Sequence, residues 1–281
     1  MAEAMDSSGL PALDGRIDLH AHILPGEDDG PQTLEQALEM ARIAAADGIA
    51  CIAATPHNVG WTKADHRSRI RRETAALQQQ CHQAGIPLCL LPGVEIYIDF
   101  DLLEQLQDGR AFPLADSRYV LLEMPHSAFP LYTEELVFHL QVKGYGVMLA
   151  HPERNALVQA NPSMLAPLVE RGTLVQITAA SLAGQFGTPV ARTAAYLLRG
   201  RLAHVIATDA HNDHRRRPEL STAVAAAGEI IGPAEAEQMV RDIPRAILAG
   251  EIISPDPPLS RVRRGKSWWV RALSGRHLSS G

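Results

Sequence analysis

The 281-residue chain is poor in cysteine, and the three it has are useful mainly for what they exclude. Cys51, Cys81 and Cys89 form no Cys-x-x-Cys pair, which disfavours a thiolate-bound structural zinc and a disulfide framework and fits a reducing compartment. Six positions after these cysteines stand His57, Pro87 and Glu95, not the arginine with which a cysteine-dependent phosphatase cradles its phosphate, so that mechanism is absent. No apolar run approaches the ~18 residues of a membrane span, and MAEAMDSSGL carries acids and serines where a secretory leader has a basic patch and an apolar block. We expect neither leader nor span, and a cytoplasmic location. A Gly-x-x-x-x-Gly-Lys-Ser/Thr loop and a strand-following Gly-rich fingerprint are likewise missing, which leaves nucleotide-binding folds without support.

What is present is a core-forming composition, 46% hydrophobic, sufficient for one large α/β domain or two ordinary ones. The formal charge of −6 is unevenly placed: RVRRGKSWWVRALSGRHLSSG at the C-terminus holds six Lys/Arg and no acid, so the preceding body carries −12. An acidic body argues against a nucleic-acid partner. The tail mixes Trp268, Trp269, Val270 and Leu273 with its cations, and is expected either to touch an anionic membrane surface or to stay a solvated terminus.

Seven short apolar or alternating runs recur at 16–23, 49–57, 88–96, 119–125, 145–153, 174–181 and 203–211. Between them lie segments of helical composition at 33–47, 63–84, 99–108, 131–143, 162–171 and 189–199, with further helix expected over about 218–229 and 233–249. Gly48, Gly85, Gly109, Gly144, Gly172 and Gly200 punctuate the helix ends, as left-handed C-terminal stops do. This alternation implies a parallel sheet with helices outside, either open or closed into a barrel.

The polar residues bear on that choice. In RIDLHAHI, residues two apart share a strand face, so His20 and His22 project side by side. His57 ends the second run in ATPH, Glu95 the third in PGVEI, Glu123 the fourth in LLEMP, His151 the fifth in LAHPER, and Asp209 and His211 the seventh in IATDAH. Six of the seven runs thus deliver His, Asp or Glu to their C-terminal ends, which converge in a barrel and spread along an edge in an open sheet. One such residue is more often a cap than a ligand, but so many unpaired polar groups in one pocket are costly unless cations compensate them. Imidazole and carboxylate without thiolate suit Mn²⁺, Fe²⁺ or Zn²⁺. With Asp29 of the GEDDG turn the candidate ligands number nine, enough for two or three ions, the equipment of hydrolytic phosphoryl transfer or amide hydrolysis.

DLHAHILPGEDDG, ATPH, PGVE, LEMP, HPERN and TDAHN, in this order over about 16–250, resemble the polymerase and histidinol phosphatase (PHP) superfamily. Within it the chain is most similar to the manganese-dependent protein-tyrosine phosphatases of bacterial capsule and exopolysaccharide clusters. The resemblance implies a distorted seven-stranded (β/α)7 TIM-like barrel, the PHP fold, with three divalent metals, Mn²⁺ foremost and Fe or Zn as alternatives. It places His20, His22, Glu95 and Asp209 on one ion, Glu95, Glu123 and His151 on a second, and Asp29, His57 and His211 on the third. Asp29 is preferred to Asp28 because the motif's ligand directly precedes the glycine. Arg154 of HPER matches a phosphate-binding arginine and Arg216, flanked by Arg215 and Arg217, a second.

The implied reaction is hydrolysis of phosphotyrosine by a metal-bridging hydroxide attacking phosphorus in line. The implied partner is a bacterial tyrosine autokinase with a tyrosine-rich tail that controls polysaccharide synthesis, which would put the enzyme at the inner face of the membrane. The expected organisation is an N-terminal extension (1–15), a phosphatase barrel (16–255) and a basic tail (256–281). Two other hydrolases compete. A histidinol-phosphate-type phosphatase shares the metals but takes a small substrate, and a metal-dependent amidohydrolase shares His-x-His but commonly has a bridging lysine where this chain has Glu123. The loop around Trp61 either closes over the site or covers the barrel rim.

Overall fold

The computed structural model describes residues 15–58, Gly60 and 65–259. Residues 1–14, Trp61 and the tail from residue 260 lie outside the described residues, and with them the expectations for the extension, the Trp61 loop and the tail. The first half runs β1 (Arg16–Ala21), α1 (Leu34–Ala46), β2 (Ile49–Ala54), α2 (His66–Gln83), β3 (Cys89–Pro92), β4 (Glu95–Tyr97), α3 (Leu102–Asp108) and β5 (Tyr119–Glu123). The second runs α4 (Thr133–Val142), β6 (Gly146–Leu149), α5 (Ala156–Ala160), α6 (Ala166–Glu170), β7 (Leu174–Thr178), α7 (Ala179–Leu182), α8 (Thr188–Arg199), β8 (Val205–Ala207), α9 (Ser221–Ile231), α10 (Pro233–Gln238) and α11 (Asp242–Leu248). Among the described residues no helix is long and apolar enough to cross a membrane.

Helix α1 shows how locally these elements are specified. Thr33 Oγ1 accepts from the Gln36 N–H, and the Gln36 side chain accepts back from the Thr33 N–H, a capping box that satisfies two end donors. Its Ala37, Met40, Ala41 and Ala44 then recur at helical spacing as the buried face. Gly48, Gly85, Gly109, Gly144 and Gly172 all take the left-handed conformation expected of them. Gly200 does not. It keeps a helical φ of −83°, and the stop falls one residue later at Arg201, with φ 55°. There the Arg201 N–H reaches Leu198 O and the Leu202 N–H reaches Leu197 O, and buried Leu202 supplies the apolar anchor that moves the stop.

Every ladder between named strands is parallel, as the βα repeat requires. The strands do not form one continuous closed barrel: β1, β2 and β3 make one sheet and β4 to β8 another. The third apolar run supplies both β3 and β4. It breaks at Pro92-Gly93, where proline has no N–H for the ladder. The register nevertheless continues across the break, Ala54 pairing with Pro92 and His57 with Glu95 through an isolated bridge. At the other seam Ala21 bridges Ala210, just beyond β8. The seven runs therefore follow one another round a ring whose regular ladders stop at two seams, each still crossed by isolated backbone hydrogen bonds, and their C-terminal ends share one face.

Leu19, Cys51, Leu121, Met148, Leu174 and Val205, one from each of six strands, form a small buried cluster in the middle of the ring, while a larger cluster packs the outer strand faces against the helices. β1 carries an extra residue relative to β2 between Asp18 and Ala21. Ile17 before this bulge and Leu19 within it join the inner cluster, whereas Ala21 and Ile23 after it join the outer one. Inward parity thus passes to His20 and His22, so a strand that begins with inward hydrophobes ends with two inward imidazoles above them.

Candidate metal centre

His20 and His22 are fully buried, with their Nε2 atoms 3.3 Å apart. Glu95 Oε2, from β4, lies 3.4 Å from each of these nitrogens and 2.9 Å from Nδ1 of His57, which follows β2. Yet neither Glu95 Oε2 nor His57 Nδ1 has a hydrogen-bond partner among the described residues. Three imidazole nitrogens crowd one carboxylate oxygen without bonding geometry, which is the arrangement of donors aimed at a shared cation and not at each other. The residues present fit a divalent ion.

The other predicted ligands join the same centre. His151 Nε2 is 2.8 Å from Glu95 Oε1, Asp209 Oδ1 is 3.5 Å from Nε2 of both His20 and His22, and Glu123 Oε2 is 3.6 Å from His57 Nδ1. Asp29 Oδ1 lies 3.2 Å from His211 Nε2 and 3.6 Å from His57 Nε2. The nine fall into four overlapping groups, each with donor atoms within 4.8 Å of one another: His22, Asp29, His57 and His211; His20, His22 and Glu95; His20, His151 and Asp209; His57, Glu95 and Glu123. His20, His22, His57 and Glu95 each belong to two groups, so neighbouring cation positions share ligands. The groups cut across the division that the family resemblance implies, most visibly at His151, which gathers with His20 and Asp209 while also reaching Glu95.

Two of these residues sit in strained backbone. His151 has φ 31° and Asp209 φ 50°, a left-handed region costing a non-glycine residue about 1–2 kcal/mol. Such strain gathers where side-chain direction matters more than stability.

A second layer of residues aims the imidazoles. His22 Nδ1 is 2.6 Å from Asp28 Oδ2, and Asp28 also accepts from the Gly30 and His57 N–H groups. Asp28 therefore stands behind the centre and Asp29 in front of it. His20 Nδ1 is 3.0 Å from Gln176 Oε1, which also accepts from the His151 N–H. With each Nδ1 occupied, the Nε2 lone pairs of His20 and His22 face inward. Asp18 accepts from the N–H and hydroxyl of Thr208 and from the His20 N–H, tying the end of β1 to the loop that carries Asp209. Sequence reasoning assigned no role to Gln176 or Asp18; the available signal was a polar residue inside an apolar run, LVQIT and RIDL.

The electrostatics are those of a site built for positive charge. Burial alone raises Glu95 and Asp209, but when no cation is bound and His20 carries the proton in its place, its charge, with hydrogen bonds from His151 to Glu95 and from His22 to Asp209, overcomes burial and holds both carboxyls well below their ordinary range. Burial, then the charge of Glu95, pushes Glu123 up to about 7. Burial, then the charge of His22, pushes His211 down to about 3.

Arg154 Nη1 donates to Asp209 Oδ2 at 2.6 Å, and Arg216 Nη2 donates to that same oxygen. Neighbouring Arg217 pairs with Glu219 instead. Both arginines singled out in the sequence thus converge on one point at the edge of the cation site.

The family model for capsular polysaccharide synthesis, CpsB/CapC, matches residues 16–249. The chain belongs to this family. It is 37% identical over 248 residues to tyrosine-protein phosphatase YwqE of Bacillus subtilis (strain 168), covering 88% of this chain and 97% of that one. It is 26% identical over 247 residues to tyrosine-protein phosphatase CpsB of Streptococcus pneumoniae, covering 84% and 100%. A chain from the crystal structures of YwqE and CpsB, metal-dependent tyrosine phosphatases, matches with a TM-score of 0.83 at 36% identity, over 87% of this chain and 100% of that one.

In this CpsB/CapC-family chain every position of HPERN has a task. His151 ends its strand in the centre, and Pro152 opens the following turn. Glu153 is fully buried, its Oε1 accepting from the Thr178 N–H and Ser181 hydroxyl, which pins the turn to the start of α7. Arg154 points to Asp209. Asn155 caps α5 through the Leu157 and Val158 N–H groups while its Nδ2 donates to the carbonyls of Pro125 and Ala128.

Proposed function

We propose that this chain is a metal-dependent protein-tyrosine phosphatase that removes phosphate from a bacterial tyrosine autokinase governing capsule and exopolysaccharide synthesis, with Mn²⁺ as its metal. The observation that carries the reading is the convergence of Arg154 and Arg216 on one oxygen of Asp209, beside nine clustered imidazole and carboxylate ligands. A phosphate monoester carries about two negative charges at neutral pH, and two guanidiniums present planar donor forks to its oxygens.

His20, His22, Asp29, His57, Glu95, Glu123, His151, Asp209 and His211 would hold the cations, with Asp28 and Gln176 orienting the imidazoles. Divalent ions held there supply Lewis acidity toward phosphoryl oxygens and water of lowered pKa. Arg154 and Arg216 bind the phosphoryl group, turn its leaving oxygen outward and neutralise the charge spread over its remaining oxygens. A tyrosyl oxygen is a comparatively good leaving group, which lessens the need for a strong general acid. The phosphatase unit is residues 16–255, working in the cytoplasm at the inner face of the membrane. That YwqE and CpsB are tyrosine-protein phosphatases supports the substrate assignment.

The test is hydrolysis of a phosphotyrosyl peptide after EDTA treatment and after restoring Mn²⁺, Fe²⁺ or Zn²⁺. We expect loss with the chelator and recovery strongest with Mn²⁺. Activity indifferent to chelation overturns the metal reading, and a preference for histidinol phosphate overturns the protein substrate.

A further inference from the structure

We infer that Phe186 is a specificity-determining residue that selects aryl over alkyl phosphates; this rests on the phosphatase reading above. Six apolar runs end in a candidate ligand, and the remaining one, which forms β7, ends in none. Past β7 the chain makes α7 and then the loop 183–187, in which Gly184 (φ 76°) and Gly187 (φ 90°) bracket Gln185 and Phe186. Phe186 is the one residue of this loop that is not exposed. Its ring centroid lies 4.9 Å from Arg154 Cζ, on the guanidinium whose Nη1 donates to Asp209. The strand end that brings no ligand therefore brings an aromatic face to the phosphate-binding arginine.

Three groups bound that guanidinium: Asp209 at Nη1, His126 Nε2 at 3.4 Å from Nη2, and the ring of Phe186. Asp209 is buried on the side of the cation ligands, whereas His126 is exposed and Phe186 half-buried. We place the ester substituent of a phosphoryl group held by Arg154 on this outer side of its guanidinium, beside His126 and Phe186. A flat ring bonded to the ester oxygen meets the edge or face of Phe186 at once, a contact worth about 3- to 10-fold in binding. A short alkyl substituent makes no such contact. Stacking on Arg154 alone would order the guanidinium equally for every phosphate, and so would not discriminate.

The experiment uses the Mn²⁺-loaded full chain and two small substrates whose leaving groups have similar acidity, phenyl phosphate and a fluoroalkyl phosphate, with Phe186→Leu and Phe186→Tyr. For Phe186→Leu we expect kcat/KM to fall about 3- to 10-fold on the aryl ester and less than twofold on the alkyl ester. Bound metal and inhibition by inorganic phosphate should stay at wild-type levels, and Phe186→Tyr should restore the aryl preference. Equal losses on both esters, or weakened inhibition by phosphate, would reduce Phe186 to a support for Arg154 and overturn the inference. A wild-type enzyme that cleaves neither ester nor a phosphotyrosyl peptide after metal loading would fail the phosphatase reading and take the inference with it, whereas one that cleaves the peptide and shows no preference for the aryl ester overturns the inference alone.

Discussion

Asp28 and Asp29 are adjacent and chemically identical, and His22 is what separates them. Its Nδ1 engages Asp28 at 2.6 Å, and although burial raises that carboxyl, the hydrogen bond and charge of His22 with two backbone N–H groups hold it down to about 2. The candidate ligands that the structure gathers were legible because His-x-His and DDG are local patterns. The partners behind them were not, since Gln176 lies far along the chain from His20 and meets it only once β7 is in place. Arg154 is the residue on which the phosphate argument turns. It offers no lone pair to a cation, so Arg154→Ala should leave bound metal, measured by atomic absorption, at the wild-type level. Removing one of two fixed cationic donors should lower kcat/KM on a phosphotyrosyl peptide about 10²- to 10³-fold. Unchanged turnover would remove Arg154 from the site's chemistry.

At the scale of elements, the long helices and their glycine stops could be read because caps, apolar stripes and left-handed residues act within a few positions of each other. α5 and α7, of five and four residues, are too short to show a period. The split of the third run follows from Pro92, but the bulge in β1 leaves no local mark: RIDLHAHI alternates cleanly while its pairing with β2 does not. The turn after β1 gives the prediction at this scale. A Cβ on Gly30 would sit 2.6 Å from His22 O and 3.0 Å from Asp28 Oδ1, so Gly30→Ala must shift the turn and carry Asp28 away from His22. We expect metal affinity about 10- to 100-fold weaker by competition with a chromophoric chelator, with the far-UV circular dichroism unchanged. Wild-type affinity would mean that Asp28 does not set the orientation of His22.

For the whole molecule, the ring is what turns nine residues spread from His20 to His211 into one site, and the strand-end pattern made that convergence readable before any contact was known. The two seams and the inner cluster under the site were not readable, because they depend on which strands pair and not on what each contains. The same ring has an opposite end, where His204 joins β7 to the entry of β8: its N–H donates to Val175 O at 2.9 Å and its Nδ1 accepts from the Val175 N–H at 3.0 Å. The accepting Nδ1 commits the imidazole to its neutral form, and burial pushes His204 from 6.5 down to about 4. Because the folded value lies below the unfolded one, the unfolded chain binds more protons between these pH values. The contribution is therefore complete above about pH 6.5 and is lost as the pH falls toward 4, amounting to at most about 3 kcal/mol. His204→Asn keeps an acceptor for the Val175 N–H but cannot be protonated. Denaturant unfolding of the two chains at pH 7 and pH 4.5 isolates the effect, since the carboxylates and histidines of the candidate metal centre titrate in both and cancel in the difference. The variant should lose distinctly less stability on acidification, and parallel losses would show that His204 is not held neutral by the fold.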